Sequence, residues 1–260
     1  MKRLKKLLSF LLCAAILTGM LGLLPALPSV SAAQPGNYTQ QTNPGLTGSF
    51  GWEGDKDAPI AFIDGSYKLR DRGDLMVTFG VTDIPGKISW ENKEGYLPCF
   101  VSSYKKDGLR HTLESFADEA VIGGNRFEIA YSRMTTVNTT DSEAELPVVS
   151  SALVPLNDAA KNTSSAAAGE TVVRDYCIGA DRFGGAYDYP TDDALAAQGS
   201  WDEHYTHMKN YWNGRLAGIF DIKKIPSGYE ELINAYKAGY IYTLIVKDGT
   251  ELHVGEDGYD

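Results

Sequence analysis

Between Pro59 and Ala180 the chain is a succession of short β-branched and aromatic runs: PIAFIDG, DLMVTFGVTD, YLPCFVSSYKKDG, LRHTLESFAD, NRFEIAYSRMTTVN, LPVVSSALVPLN and ETVVRDYCIGA. Each run ends in turn residues, and runs of this length and composition suit pleated strands. No helical periodicity separates them. Parallel strands need helical crossovers, so the pattern predicts an antiparallel β-sandwich. Within Arg126 to Val137, Phe127, Ile129, Tyr131 and Met134 fall mostly on one face, with Arg126, Glu128 and Ser132 opposite. This predicts one buried and one wet face, with a bulge near Arg133. Lys106-Asp107-Gly108 has the glycine-containing signal of a tight hairpin between antiparallel neighbours.

Beyond the strands the period changes. From Ser200 to Gly218, Trp201, Tyr205, Met208, Trp212, Leu216 and then Ile219 recur at spacings of three and four, a single stripe on a helix that must be buried. Ser200 and Glu203 form a capping box that sets its start. Ser227 and Glu230 repeat the box, followed by Tyr229, Leu232, Ile233, Tyr236 and Tyr240. The second helix is expected to run to about Val246, since Gly239 costs only about 1 kcal/mol inside it. The competing reading pairs YIYTLIV with TELHV as a hairpin around Lys247-Asp248-Gly249. The fold class expected is therefore mainly β, an antiparallel sandwich followed by a short helical segment of two helices.

The first 33 residues read as a secretion signal. Lys2, Arg3, Lys5 and Lys6 precede an apolar run from Leu7 to about Leu24, and Ser31-Ala32-Ala33 supplies small residues for cleavage. Pro25 and Pro28 break the run, so no stable membrane anchor is expected, and Cys13 follows Leu11 and Leu12 rather than the small residues of a lipid-attachment site. Losing those four positive charges and no acid moves the net charge from −10 to −14. Such a surface repels phosphate, so nucleic acid is not an expected partner. Cys99 and Cys177 both sit in strand-like runs without metal-ligand spacing. They either pair or stay as two buried thiols.

The remaining segments carry little chemistry. Gln34 to Gly54 suits an extended leader or a first edge strand, and Asn157 to Gly169 a flexible loop. Asn37, Asn138 and Asn162 begin N-x-Ser/Thr triplets that decide nothing about function. Asp181 to Gly199 connects strands to helices. A calcium site from Asp181, Asp188, Asp192 and Asp193 is conceivable there, but the spacing is not that of an EF-hand. Thr191 capping a short helix, with Asp192 and Asp193 in its first turn, is the simpler reading.

His204 and His207 lie beside the apolar stripe of the first helix, with Tyr211 and Arg215. Their i, i+3 spacing lacks a third ligand for zinc, which leaves packing and hydrogen bonding as their expected role. No Ser/His/Asp set, phosphate loop or reactive-cysteine signature is present. No catalytic residue, metal or cofactor is assigned. Sugar stacking is more plausible for Trp52, Trp90, Tyr187 or Tyr189, near turns, than for the helical stripe. Glu256, Asp257 and Asp260 in LHVGEDGYD are the acidic candidates, giving a substrate-binding set of Glu256, Asp257, Asp260, Tyr187 and Tyr189.

The order of parts, with YWNGRL (Tyr211 to Leu216), AYKAG (Ala235 to Gly239) and LHVGEDGYD, resembles the N-terminal half of six-hairpin glycosidases. The resemblance covers roughly Gly48 to Asp260. It implies a sandwich, a helical linker and an (α/α)6 barrel that carries the catalytic acids beyond Asp260. The expected organisation is a signal peptide at 1–33, a sandwich at 34–180, a linker at 181–199, and at 200–260 a helical linker opening a barrel. The expected product is the non-catalytic part of a secreted carbohydrate-active enzyme, with a missing barrel domain and an oligo- or polysaccharide as partners. The alternative is a stand-alone secreted carbohydrate-binding or cell-surface module.

Overall fold

The computed structural model describes residues 36–39, 46–55, 57–219, 222, 225–248 and 251–252. The expected secretion segment lies outside them, as do residues 34, 35 and 40–45 of the leader. Strands β1 (Gly36–Tyr38), β2 (Thr47–Ser49), β3 (Ile60–Phe62), β4 (Tyr67–Leu69), β5 (Leu75–Val77) and β6 (Ile88–Asn92) come first. They are followed by β7 (Cys99–Lys106), β8 (Leu109–Ile122), β9 (Asn125–Asn138), β10 (Ala144–Glu145) and β11 (Val154–Pro155). Helix α1 (Asp158–Asn162), β12 (Ser165–Ala166) and β13 (Thr171–Asp181) lead to helices α2 (Asp192–Ala196), α3 (Trp201–Ala217) and α4 (Glu230–Ile245). A short hairpin, β14 (Lys247–Asp248) and β15 (Glu251–Leu252), closes the described chain.

A seven-stranded antiparallel sheet in the order β1-β6-β7-β8-β9-β13-β11 forms the centre, and β2-β3-β4-β5 form a second, four-stranded meander. The first part of the leader is therefore an edge strand. Turn chemistry sets the register of the long strands. Asp107 (φ 50°) and Gly108 (φ 77°) make a two-residue turn closing Lys106 onto Leu109, as the sequence predicts. Gly123 and Gly124 do the same between β8 and β9, with Ile122 opposite Asn125. Positive φ at both central residues matches the twist of the flanking strands.

Both faces of the large sheet are covered. On one, Ala117, Ala130, Met134, Tyr176 and Ile178 receive Phe50, Tyr67, Leu69, Val77 and Phe79 from the small sheet and its flanks. The result is an antiparallel β-sandwich. On the other face, Cys99, Phe116, Phe127, Ile129, Tyr131 and Cys177 receive Trp52, Leu195, Trp201, Met208, Trp212, Ile241 and Ile245. The expected wet face of β9 is thus corrected: Phe127 to Ser132 are all buried, because the small sheet covers the face of Glu128, Ala130 and Ser132, where Tyr67 Oη meets Ser132 Oγ, while helices and the 50–58 loop form a third layer over Phe127, Ile129 and Tyr131. The bulge expected near Arg133 is also absent, since β8 and β9 pair without a shift. The irregularity lies at Gly179/Asp181, where β13 pairs with β9.

Cys99, Phe116, Tyr131 and Cys177 occupy one row across β7, β8, β9 and β13. Three strand spacings of ~4.8 Å put the cysteines ~14 Å apart, twice the reach of a disulfide. Both are free and buried. Burial pushes the Cys177 thiol up to about 12 and the Cys99 thiol further still.

The Ser200 capping box forms in full. Trp201, Met208 and Trp212 are buried, so the stripe faces the sheet as predicted. The box at Ser227 does not form. Gly228 turns the chain at φ 90°, its N–H donates to Glu230 Oε2 (2.9 Å), and α4 begins at Glu230 without a side-chain cap. α4 ends at Ile245, and the hairpin beyond it pairs Lys247, not Tyr242, with Leu252. Two short helices precede the two expected ones, one unexpected and one as read from Thr191. α1 stands in the expected loop, capped by Asn157, and α2 is capped by Thr191 with Asp192 and Asp193 in its first turn. Among the described residues no helix is long and apolar enough to cross a membrane.

Candidate functional site

Three features stand out. The first is the seat of α3. Asp118 belongs to the face of β8 that carries Phe116, and its carboxylate is buried. His204 Nδ1 donates to Oδ2 and His207 Nδ1 to Oδ1, both at 2.7 Å. His204 Nε2 faces the Gln198 carbonyl at 3.2 Å, and its ring stacks on Tyr131. His207 stacks on Trp52, with a side chain that is 60 % exposed. The histidines point at one carboxylate rather than converging on a point between them, so they fasten the helix. Arg133 adds a bidentate link, bridging Asp175 of β13 to Asp202 of α3 at 2.7–3.0 Å.

The second feature is a group of buried acids. The β13 irregularity skips Ala180 and sets Asp181 directly beside Glu128, on the same side of the sheet. The 50–58 loop adds Asp55. Asp55 is 3 % exposed, and Glu128 and Asp181 are 0 % exposed. Trp52 N–H donates to Glu128 Oε2 (2.8 Å) and reaches Asp55 Oδ2 (3.4 Å). Burial pushes the Asp55 carboxyl up to about 7, with Asp181 adding to the rise. Glu128 is driven well above the usual carboxylate range, first by burial and then by Asp55.

Asp57, Asp71 and Asp181 offer oxygens within 4.8 Å of one another. Guanidinium groups already serve two of these. Arg70 pairs with Asp57 (3.4 Å), and Arg182 grips Asp71 bidentately (2.8 and 3.1 Å). Asp181 Oδ1 accepts the Phe183 N–H. The chemistry available here is proton storage in a buried pair.

The third feature is an open apolar groove of about 260 Å³ between the end of α3 and the start of α4, lined by Leu216, Ala217, Ile219, Ile222, Ile233, Tyr236 and Lys237. The C-terminal part of α4 packs on the sheet through Ile241, Leu244 and Ile245. Its first turns do not: Tyr229, Leu232 and Tyr236 are 37, 60 and 40 % exposed. Their spacing of three and four residues puts them on one face. Asn213, which accepts from Tyr96 Oη (2.8 Å), and Lys237, over the Tyr96 ring, tie this end of the helix pair to the rest.

The candidates for sugar contact are placed as follows. Tyr187 and Tyr189 pack the 181–190 segment against the sheet. Tyr187 Oη donates to the Arg126 and Arg182 carbonyls, and its ring meets Phe127 edge-on. Tyr189 Oη donates to Asp71 (2.5 Å), with Arg72 and Arg182 over its ring. Trp52 is buried against Tyr211 and Trp212, and Trp90 stacks on Phe100. Glu256, Asp257 and Asp260 lie outside the described residues.

Sequence reasoning missed Asp55, Glu128 and Asp118. Glu128 sits on the polar phase of its strand, the only signal available, and that phase reads as solvent-facing. Comparison of the chain with known protein families, curated proteins and solved structures finds no match.

Proposed function

We propose that this chain is the non-catalytic N-terminal part of a secreted carbohydrate-active enzyme, and that α3 and α4 are the platform on which a helical catalytic domain packs. The supporting observation is the face of Tyr229, Leu232 and Tyr236 beside the groove. Monomeric proteins seldom leave large apolar side chains grouped beside an apolar depression, and such patches mark interaction surfaces. The sheet covers the opposite side of the same helices, so the pair has one filled and one open face. A further helical hairpin presenting apolar side chains is the occupant with matching shape, as the resemblance to six-hairpin glycosidases implies.

The test is a thermodynamic cycle on two proteins, this chain alone and the product of its reading frame extended past Asp260. Leu232→Asp is expected to change the stability of the chain alone by less than about 0.5 kcal/mol, as for an exposed site. In the extended protein it should cost about 2 kcal/mol or more, the penalty of burying an unpaired charge. Equal effects in the two proteins, or a reading frame that adds no helical segment, would overturn the proposal.

A further inference from the structure

Asp55 and Glu128 are brought together from positions far apart in the chain, fully enclosed, and hydrogen-bonded to one backbone N–H. Two carboxylates in such an enclosure cannot both be ionised unless a cation offsets them. Among the described residues each nearby cation is engaged elsewhere, Arg72 on the Gly179 carbonyl (3.4 Å) and over the Tyr189 ring. On the strap after β4, Arg70 pairs with Asp57. At the end of β13, Arg182 pairs with Asp71, which also accepts from Tyr189. On β9, Arg126 pairs with Glu119 of β8. Asp181 adds negative charge beside the pair. From α4 the loop meets an apolar side chain, since a Cβ on Gly51 would fall 3.1 Å from Ile245 Cγ2 and 2.3 Å from Asp55 Oδ2. Among the described residues Glu128 Oε1 has no N–H or O–H donor, and a carboxyl proton would supply one.

The loop held by this pair also holds α3. The Trp52 ring lies 4.1 Å from Tyr211 and 5.9 Å from Trp212, and it stacks on His207. The next residue, Glu53, accepts from Tyr211 Oη (2.6 Å) and Arg215 (2.8 Å). We infer that Asp55 and Glu128 form a proton-held latch: with a proton between them the 50–58 loop is locked to the sheet and α3 to the loop, and losing that proton in alkaline solution releases the loop and loosens α3. The raised carboxyls place the release above neutral pH.

The experiment follows hydrogen exchange of the α3 amides and tryptophan emission from pH 6 to 10, with exchange corrected for its intrinsic pH dependence. It compares wild type, Glu128→Gln and Asp55→Asn. In Glu128→Gln the new side-chain amide can donate to Asp55 without a shared proton while its carbonyl still accepts from Trp52. Wild type should show at least tenfold faster corrected exchange in 201–217 at the alkaline end. Glu128→Gln should lose that transition or move it by more than one pH unit, and should be at least as stable as wild type at pH 9. Asp55→Asn, which also leaves one titratable carboxyl, should likewise move it. A flat wild-type profile, identical midpoints in all three proteins, or a Glu128→Gln protein that fails to fold would overturn the latch.

Discussion

Removing the Asp118 carboxylate measures how firmly α3 is attached to the sheet. Asp118→Ala deletes the acceptor of three hydrogen bonds, one from the Glu119 N–H (2.9 Å) and two from histidines, each 2.7 Å long, and the two histidines are affected unequally. His204 has a side chain only 12 % exposed, and its ring lies against Tyr131, so its orphaned N–H finds little water. A buried hydrogen bond to a charged group is worth about 1.5–3 kcal/mol. His207 is 60 % exposed and can turn to solvent, which limits its loss to about 0.5 kcal/mol. The expected cost of Asp118→Ala is therefore about 2–3.5 kcal/mol. At roughly 2–4 °C per kcal/mol for a chain of this size, the melting temperature should fall by about 4–14 °C.

Urea unfolding of Asp118→Ala, His204→Ala, His207→Ala and the two double mutants closes two cycles. The coupling of Asp118 to His204 should exceed that of Asp118 to His207 by about 1 kcal/mol or more. Equal couplings, or a larger one for His207, would refute the claim that enclosure rather than bond length decides the energy.

Two further outcomes follow from buried positions. A Cβ on Gly179 would lie 2.5 Å from Tyr189 Cδ1, and that ring is fixed by Asp71 and two arginines, so Gly179→Ala should cost about 1–3 kcal/mol in urea unfolding, with partial recovery when Tyr189→Leu is added. The His111 imidazole is pushed down to about 4, first by burial and then by Arg174, so the folded state keeps it neutral while the unfolded chain titrates near 6.5. Its contribution is complete above pH 6.5 and is lost as pH falls towards 4, by up to roughly 3 kcal/mol. The stability difference between wild type and His111→Gln, measured at pH 7.5 and pH 4.5, should change by about that amount in favour of the variant at the lower pH.

Local chemistry explains which parts of the fold were legible from residues alone. The Asp107-Gly108 turn, the Ser200 capping box and the Thr191 cap each depend on side chains within three positions, and each forms as read. The stripe from Trp201 was legible because one helix face does one job. Ser227 with Glu230 matches a capping box equally well in letters, yet Gly228 at φ 90° places the serine outside the helix. Alternation in β9 reported that its two faces differ without revealing that both are covered, the polar one by the small sheet and the 50–58 loop. Hence Glu128, read as wet, is fully enclosed. Asp118 meets its histidines across 86 and 89 positions of chain, and no local pattern encodes such a meeting.

The two ends of the helix pair therefore have different physical standing. At one end, α3 is fixed by Asp118, Arg133 and the Trp52 loop, and Ile245 of α4 packs close to Gly51 of that loop. At the other end, Tyr229, Leu232 and Tyr236 have water where apolar neighbours would fit. Stability is lowest where few apolar contacts are buried, so opening of the helices starts at the groove and meets its resistance at the loop. A domain seated in the groove would add contacts at the weak end. A proton on Asp55 and Glu128 maintains the strong one. The loop from Phe50 to Ala58 is consequently the joint of the molecule: its backbone holds Glu128 of the sheet, and its side chains hold the helix that the proposed partner would use.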